Sequence, residues 1–200
     1  MINWLGHSGD AISFAKQINP AFYGGFNLVL GDLPGGYWHV WSNRPEGTAT
    51  AAPQRLANGV YGLSNAALDS PWPKTLALKS ALTRALAAPS QAELELILWQ
   101  ALRDPTRAAI NALPHTGVPR ELEHALSSAH VSLPERNYGT RCASVIVVTA
   151  QSHPTEGPSV GEVTFKERSF KDVTLSTHAA QTTVEVNFIL PMRAARHPPN

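Results

Sequence analysis

The chain has 200 residues, of which 43% are hydrophobic, and its sixteen basic and fifteen acidic residues leave a formal net charge of +1. This length and this apolar share predict one globular domain and exclude an intrinsically disordered chain. The charge is too small for the basic surface of a nucleic-acid-binding protein, so we expect no nucleic-acid partner.

The first third of the sequence predicts a helix and a β-hairpin. The segment "AISFAKQI", which follows Ser8-Gly9-Asp10, predicts a short helix that ends at Asn19-Pro20. The alternating segments "GGFNLVLGD" and "YWHVWSN" predict two strands over 24–43, joined by a turn at Pro34-Gly35-Gly36. The segment "NGVYGLSN" over 58–65 predicts a third strand.

Three helices are predicted in the middle of the chain. From Lys74 onward, apolar residues recur at helical spacing, at Leu78, Leu82, Ala85 and Leu86. Ser90 and Glu93 form a capping-box pattern, so a second, amphipathic helix begins there and ends before Asp104-Pro105. The segment "PRELEHALSSAH" over 119–130 predicts a shorter third helix.

The last third predicts a sheet. The segment "CASVIVVTA" over 142–150 is apolar on both faces, which is typical of a central strand. After a predicted turn over 152–161, two alternating segments predict strands with one covered face. The second of these, over 183–190, is expected to point Val184, Val186 and Phe188 inward. Strands, then helices, then strands predict one α+β domain over 1–190 with a disordered tail over 191–200.

The single cysteine and the absence of long apolar runs bear on the compartment. Cys142 cannot form an internal disulfide and fits a reducing environment. No apolar run reaches the roughly eighteen residues that cross a bilayer. Residues 1–10 lack the basic end and the apolar middle of a signal peptide. We therefore expect a cytoplasmic protein without an integral membrane segment.

Familiar catalytic and metal-binding motifs do not occur in the sequence. It contains no Walker loop and no G-x-G-x-x-G, and "GLSNA" at 62–66 lacks the second glycine of a nucleophile elbow. Cys142 has no partner at zinc-finger spacing. The histidines form no H-E-x-x-H motif, and each is explained either by a structural or exposed role or, since one axial histidine can suffice, as a ligand of haem iron: His7, His39, His115, His124, His130, His153, His178 and His197.

Polar side chains at the ends of predicted strands, together with a few neighbours, form the predicted ligand-binding set. Its members are Asn27, Ser42, Asn43, Arg44, Gly62, Ser64, Asn65, Trp72, Lys74 and Arg141. The Asn and Ser residues are explained either as turn and cap residues or as one rim of a cleft. Trp72, held between two prolines, either fills the core or covers a ligand. Arg141, at the entry of a strand, is either a structural hub or a substrate clamp.

Six segments, in order and spacing, resemble the NRDE family, whose animal relatives are called transport and Golgi organisation protein 2. They are "GFNLVLGD", "WSNRPEG", "GVYGLSNAALDSPWPK", "LPHTGVP", "LSS" and "YGTRCAS", and the resemblance covers about Gly6 to Phe170. It implies an αββα sandwich similar to that of the N-terminal-nucleophile hydrolases. Because family members typically begin Met-Cys, it also implies an N-terminal cysteine as the nucleophile.

This chain departs from that pattern, since it begins Met1-Ile2-Asn3. Asn43-Arg44-Pro45-Glu46 aligns with a later element of the family and not with the motif that gives the family its name. We therefore expect a member truncated at its N-terminus, without the nucleophile, several strands or catalytic activity. Cys142 is expected to be a small core residue. Unpaired sheet edges and bare apolar faces would favour homo-oligomers.

The resemblance implies a non-catalytic role in binding or carrying a small molecule. Relatives are linked to haem trafficking, to acyl-CoA and lipid handling and, in animals, to secretion and Golgi organisation. Haem is a candidate ligand, with Phe26, Tyr61 and Trp72 expected to line its cleft. The alternative is an N-terminal-nucleophile amidohydrolase, if the true start lies upstream and restores a cysteine whose own α-amino group, with a pKa of roughly 7.7–8.0, serves as the base.

Overall fold

Helices and antiparallel sheets succeed one another along the chain in the computed structural model, which describes residues 2–44, 52–151, 160–170 and 181–191. This mixture confirms the predicted α+β class. The likeness of the fold to the N-terminal-nucleophile hydrolases stays a prediction. Most of the predicted turn over 152–161 and all but the first residue of the predicted tail over 191–200 lie outside the described residues.

Two short helices and a hairpin form the first unit. Helices α1 (Ile2–Leu5) and α2 (Ala11–Ala15) precede strands β1 (Asn27–Asp32) and β2 (Tyr37–Ser42). The strands pair antiparallel, which confirms the predicted hairpin. The buried side chains of Ala11, Phe14 and Leu30 form a core between α2 and the hairpin.

The third strand of this sheet differs from the prediction. It is β3 (Gln54–Arg55), which pairs antiparallel with β2, and the predicted strand over 58–65 is wrong because that segment is an irregular loop. Side chains take the place of a strand partner there. The amide nitrogen of Asn27 donates hydrogen bonds to the carbonyls of Ser64 (3.3 Å) and Ala66 (2.8 Å).

Three helices follow: α3 (Pro73–Leu86), α4 (Gln91–Leu102) and α5 (Arg120–Ala125). The hydroxyl of Ser90 accepts a hydrogen bond from the backbone N–H of Glu93 (3.2 Å), which confirms the predicted cap of α4. Helix α5 ends five residues before the predicted end at 130, because the next turn is closed by serine hydroxyls. The hydroxyl of Ser127 donates to the carbonyl of His124 (2.7 Å), and the hydroxyl of Ser128 donates to the carbonyl of His130 (2.8 Å).

The last third of the chain forms two antiparallel sheets. A small ribbon pairs β4 (Ser132–Leu133) with β5 (Tyr138–Gly139). The larger sheet has the strand order β6-β7-β8, in which β6 is Cys142–Gln151, β7 is Val160–Phe170 and β8 is Gln181–Pro191. The prediction that β6 is central is therefore wrong, since β7 is the middle strand of this sheet.

Helix α4 covers one face of the larger sheet. Trp99 is 4% exposed and packs against Ala143 and Val145 of β6. On the neighbouring strand, the ammonium of Lys166 lies 2.8 Å from the carboxylate of Glu95 in α4. These contacts fix the position of α4 over β6 and β7.

The opposite face of the larger sheet is apolar and exposed. Ile146, Val184, Val186 and Phe188 are 58%, 50%, 48% and 43% exposed, so the predicted inward orientation of the last three is wrong. The strand register places Ile146 and Val186 on one face, because both flank Phe165 directly. Alternation in a sequence identifies the apolar face of a strand, but the position of α4 decides which face is covered.

Cys142 also differs from the prediction. It begins edge strand β6, and it is exposed and not part of the core. Its position alternates with that of Ala143, which faces α4 and is 9% exposed. The expectation of a small core residue was wrong because it rested on β6 being buried on both faces.

Candidate functional site

A closed loop leads into α3 and shapes the site. The backbone N–H of Gly62 donates to the carboxylate of Asp69 (2.8 Å), and the N–H of Asp69 donates to the carbonyl of Gly62 (2.7 Å). The ammonium of Lys79 lies 2.7 Å from the same carboxylate. The hydrogen bond from Lys79, followed by that from Gly62, lowers the pKa of Asp69. These contacts tie both ends of the loop to one side chain.

Gly62 is held close to the first turn of α3. A Cβ atom at this position would lie 2.3 Å from the methyl carbon of Thr75 and 3.2 Å from the side chain of Lys79. Thr75 is itself 6% exposed, so it has little room to move away. The absence of a side chain at Gly62 therefore lets the loop lie directly on α3.

Three predicted site residues use their polar groups on the backbone. Asn43 accepts a hydrogen bond from the N–H of Phe26 (2.6 Å) and donates to two carbonyls of the preceding loop. The hydroxyl of Ser42 donates to the carbonyl of Phe26 (3.1 Å). Together with the contacts of Asn27, these bonds agree with the interpretation as turn and cap residues.

Four other predicted site residues border one cavity. We call it the Trp72 cavity, and its volume is about 660 Å³. Arg44 and Asn65 come from the segments after β2 and before α3, whereas Trp72 and Lys74 flank the start of α3. The loop before α5 and α5 itself supply the opposite wall, which includes His115 and Glu123. The structure thus brings together residues that are far apart in sequence, from Arg44 to Ser127.

The Trp72 cavity carries two cationic side chains. The ammonium of Lys74 donates to the carbonyl of Leu126 (3.0 Å), and burial lowers its pKa. The Nε atom of Arg44 is buried and has no hydrogen-bond partner among the described residues. A buried donor without an acceptor is unfavourable.

The carboxylate in the wall of the cavity is already engaged. Glu123 is 6% exposed, and it accepts hydrogen bonds from the hydroxyl (2.7 Å) and the backbone N–H (2.8 Å) of Thr116. The guanidinium of Arg120 lies 2.9 Å from its other oxygen. The hydrogen bond from the Thr116 side chain is the first cause of the lowered pKa of Glu123. The paired carboxylate leaves the cavity more suited to anions than to cations.

The remaining predicted residues lie elsewhere. Gly62 and Ser64 border a neighbouring cavity of about 370 Å³, which meets the first at Lys74. Arg141 is exposed and borders neither cavity, and its carbonyl accepts a hydrogen bond from the N–H of Phe170 (2.8 Å). The ligand-binding role of all ten residues stays a prediction.

From the sequence, His115 was only one of eight candidate haem ligands, and Thr116 and Glu123 had no expected role, although all three border the Trp72 cavity. The signal for His115 and Thr116 was the segment "LPHTGVP", which carries the resemblance to the family, whereas Glu123 lies outside that segment. Gly117 in this segment has a φ of +86°, a value that favours glycine, so the turn is specified by its sequence.

Two features of the described residues bear on cofactors and membranes. No group of three His, Cys, Asp or Glu side chains in the described part of the chain is arranged to hold a metal ion. Among the helices of the described ranges, none is both long and apolar enough to cross a bilayer.

Comparisons with known proteins agree with the resemblance. The sequence model of the family described as "Transport and Golgi organisation 2" matches residues 1–172. A Bos taurus protein named "Transport and Golgi organization protein 2 homolog" is 33% identical over 171 residues, which cover 80% of this chain and 56% of that protein. A Homo sapiens protein of the same name is 32% identical over 183 residues, which cover 86% of this chain and 61% of that protein. The chain spans about three fifths of the length of these curated relatives.

Proposed function

Because the chain belongs to the transport and Golgi organisation 2 family, we propose that it binds and carries a small molecule, of the haem class or of the acyl-CoA and lipid class, without turning it over. The Trp72 cavity is the observation that supports this proposal. Its volume of about 660 Å³ lies within the range of small-molecule sites, roughly 300–1,000 Å³.

The side chains around the cavity fit an anionic molecule with a large apolar body. Lys74 and Arg44 supply positive charge for the carboxylates of haem or for the phosphates of an acyl-CoA. The ring of Trp72, with Pro114 and Val118, supplies apolar surface. Of the residues expected to line a haem cleft, Trp72 borders this cavity, Tyr61 borders the neighbouring one, and Phe26 packs on Trp41 (ring centroids 5.2 Å apart).

His115 is the side chain in the cavity that favours haem over an acyl-CoA. It is exposed and borders the cavity, and one imidazole nitrogen is sufficient as an axial ligand of haem iron. The expected complex places the iron at His115 and the propionates toward Lys74 and Arg44. An acyl-CoA would use the same cations but would not need the imidazole.

A titration with haemin tests this proposal. A stoichiometric shift of the Soret band is expected for the wild type and is expected to disappear in His115→Ala. The matched control, His124→Ala, changes a histidine of α5 that does not border the cavity, and it should keep the shift. No shift of the Soret band with the wild type would exclude haem as the ligand. If palmitoyl-CoA then binds and the His115→Ala variant binds it equally well, the acyl-CoA class stands in its place.

The names of the relatives associate them with transport and Golgi organisation. Carriage of a cargo molecule is the form of transport that a cavity of this kind supports. A cytoplasmic location for this chain is part of the same proposal. The exposed thiol of Cys142 agrees with a reducing compartment.

We also propose that two copies of the chain associate through the sheet β6-β7-β8. Its face opposite α4 exposes four large apolar side chains by 43–58%, and contiguous apolar surface of this kind favours association. Edge strands β6 and β8 each pair with one strand in the described part of the chain. Two such sheets packed face to face, each covered by its own α4, would give the layer order αββα that the resemblance implies.

A further inference from the structure

A third and larger cavity lies between α3 and α4. We call it the α3–α4 cleft, and its volume is about 950 Å³. Leu78 of α3 and Leu96 and Ile97 of α4 give it apolar walls. It shares three lining residues with the Trp72 cavity, which are Pro73, Lys74 and Ser127, and its other lining residues allow the two cavities to be tested separately.

The lining of the α3–α4 cleft is strongly cationic. Five cationic side chains border it, and one carboxylate does: Lys74, Arg84, Arg103, Arg107 and Arg168 against Asp104. The carboxylate of Asp104 accepts a hydrogen bond from the backbone N–H of Thr106 (2.9 Å). In a protein with a net charge of only +1, this concentration of guanidinium groups is local and creates a site for anions.

The floor of the cleft contains an unused hydrogen-bond donor. Trp99 is 96% buried, it borders the cleft, and its indole Nε1 has no hydrogen-bond partner among the described residues. The guanidinium of Arg168 lies over its ring, 4.1 Å from the centroid. A buried N–H without an acceptor is unfavourable, so an oxygen of a ligand at this point would gain a hydrogen bond that water does not supply.

The positive charge of Arg168 lies in an unfavourable environment, which a nearby anion would improve. Burial lowers its pKa first, and the positive charge of Arg103 lowers it further. Glu95 opposes this effect, but its carboxylate is 2.8 Å from Lys166 and is shared with that ion pair. A bound anion would compensate the two neighbouring guanidinium groups.

We propose that the α3–α4 cleft binds the phosphate or diphosphate group of a small molecule whose apolar part lies against α3 and α4. A doubly charged phosphate suits several guanidinium groups better than a singly charged carboxylate does. The expected acceptors of the indole N–H of Trp99 and of the guanidinium of Arg168 are phosphate oxygens. This site is additional to the Trp72 cavity and does not depend on the binding of haem or an acyl-CoA there.

Calorimetric titration of the whole chain with inorganic pyrophosphate, at constant ionic strength, tests the head-group site. We expect saturable binding that weakens about tenfold in Arg168→Gln, because one charge-assisted contact is lost. Arg107→Gln removes an exposed side chain of the cleft, so it tests the same site without endangering the fold. The matched control is Arg136→Gln, an exposed arginine outside the cleft, which should bind as the wild type does.

Two results would overturn the proposal. One is no saturable binding of pyrophosphate to the wild type. The other is an equal loss of affinity in Arg107→Gln and Arg136→Gln, which would mean unspecific attraction to surface charge. Nitrogen-15 NMR adds a direct readout, since pyrophosphate should shift the indole N–H signal that is missing in Trp99→Phe. An unshifted signal would contradict the assigned contact.

A second series of ligands tests the chemical class. Octyl phosphate should bind more tightly than inorganic phosphate if the walls hold an apolar chain, and more tightly than octanoate if the head group must be a phosphate. Equal binding of octyl phosphate and octanoate would overturn the choice of phosphate. Arg168→Gln should leave the haemin titration unchanged, so failure of haemin binding with intact pyrophosphate binding would affect the proposed function alone.

Discussion

Gly62 lies where the loop before α3 comes closest to the helix. The carboxylate of Asp69 holds both the N–H of Gly62 and the ammonium of Lys79, which fixes the loop in place. Gly62 and Asp69 hold the loop on α3. We therefore expect their substitution to lower the stability of the protein more than it lowers ligand affinity.

We expect Gly62→Ala to destabilise the protein by about 1–3 kcal/mol, because the new Cβ would lie 2.3 Å from the methyl carbon of Thr75 and the buried threonine cannot yield. Urea unfolding measures the effect. Gly24→Ala is the control, since a Cβ at Gly24 would meet nothing within 4 Å. Its effect should stay within about 0.5 kcal/mol. Similar losses in both variants would contradict the close approach.

The carboxylate of Glu123 should make stability depend on pH. Its native pKa is lowered from the ordinary value of 4.5, first by the hydrogen bond from the side chain of Thr116. The native state therefore binds fewer protons than the unfolded state. The resulting stabilisation is present above the unfolded pKa and is lost as the pH falls through the native pKa.

We expect Thr116→Val to lower stability at neutral pH and to reduce the loss of stability between about pH 5 and pH 3, because the native pKa of Glu123 then moves toward its unfolded value. Thr116→Ser keeps the hydroxyl donor and should keep the steeper dependence. The measurement is the urea midpoint as a function of pH. A steeper acid dependence in Thr116→Val would show that the sign is wrong.

At the scale of elements, α4 connects the helical part of the chain to the larger sheet. Its start is capped by Ser90, its middle forms the ion pair of Glu95 with Lys166, and Trp99 fills the space over β6. The helix therefore positions both the sheet and one wall of the α3–α4 cleft.

Ser90→Ala should cost about 1 kcal/mol, since the N–H of Glu93 loses its side-chain acceptor. Ser90→Asp retains an acceptor and should remain close to the wild type. In a chain of this length, a loss of 1 kcal/mol lowers the melting temperature by about 2–4 °C, which calorimetry can measure. Equal melting temperatures for the two variants would mean that the cap contributes nothing.

Local signals in the sequence predicted some elements and not others. The hairpin and the cap of α4 depend on residues close together in sequence, so their patterns were sufficient. The irregular loop over 58–65 is held in part by Asn27, more than thirty residues away, which donates hydrogen bonds to the carbonyls of Ser64 and of the following Ala66. The same limit applies to β6 and β8, because the position of α4 decides which face is buried.

The candidate site shows the same division. The sequence identified Arg44, Asn65, Trp72 and Lys74, which meet at one cavity. It did not single out His115 among the eight histidines, because a lone histidine in a loop carries no pattern that indicates what lies opposite. It also gave no role to Arg168, whose partner Trp99 is 69 positions away in another element.

At the scale of the whole molecule, the described residues contain two separate buried clusters. One lies between α2 and the hairpin, and the other lies between α4 and the larger sheet. The apolar face of the sheet that points away from α4 belongs to neither cluster. An exposed apolar face of this kind favours association of the protein in solution.

Phe188→Glu should convert the proposed dimer to a monomer, because it places a charge on the exposed apolar face. Thr183→Glu is the matched control: it lies on the same strand but on the opposite face, directly across from Arg168, and should leave the dimer intact. Light scattering coupled to size-exclusion chromatography gives the mass. A wild type that remains at 21.5 kDa at all concentrations would refute the dimer.

Lys74 borders the Trp72 cavity, the neighbouring cavity of about 370 Å³ and the α3–α4 cleft. Burial lowers the pKa of this amine, whereas the hydrogen bond that Lys166 donates to the carboxylate of Glu95 raises the pKa of Lys166. Acylating reagents attack the neutral amine, so Lys74 should be modified before Lys166 as the pH rises. One lysine can therefore serve as a footprinting probe, and protection of it by an added compound would report occupancy of any of the three spaces.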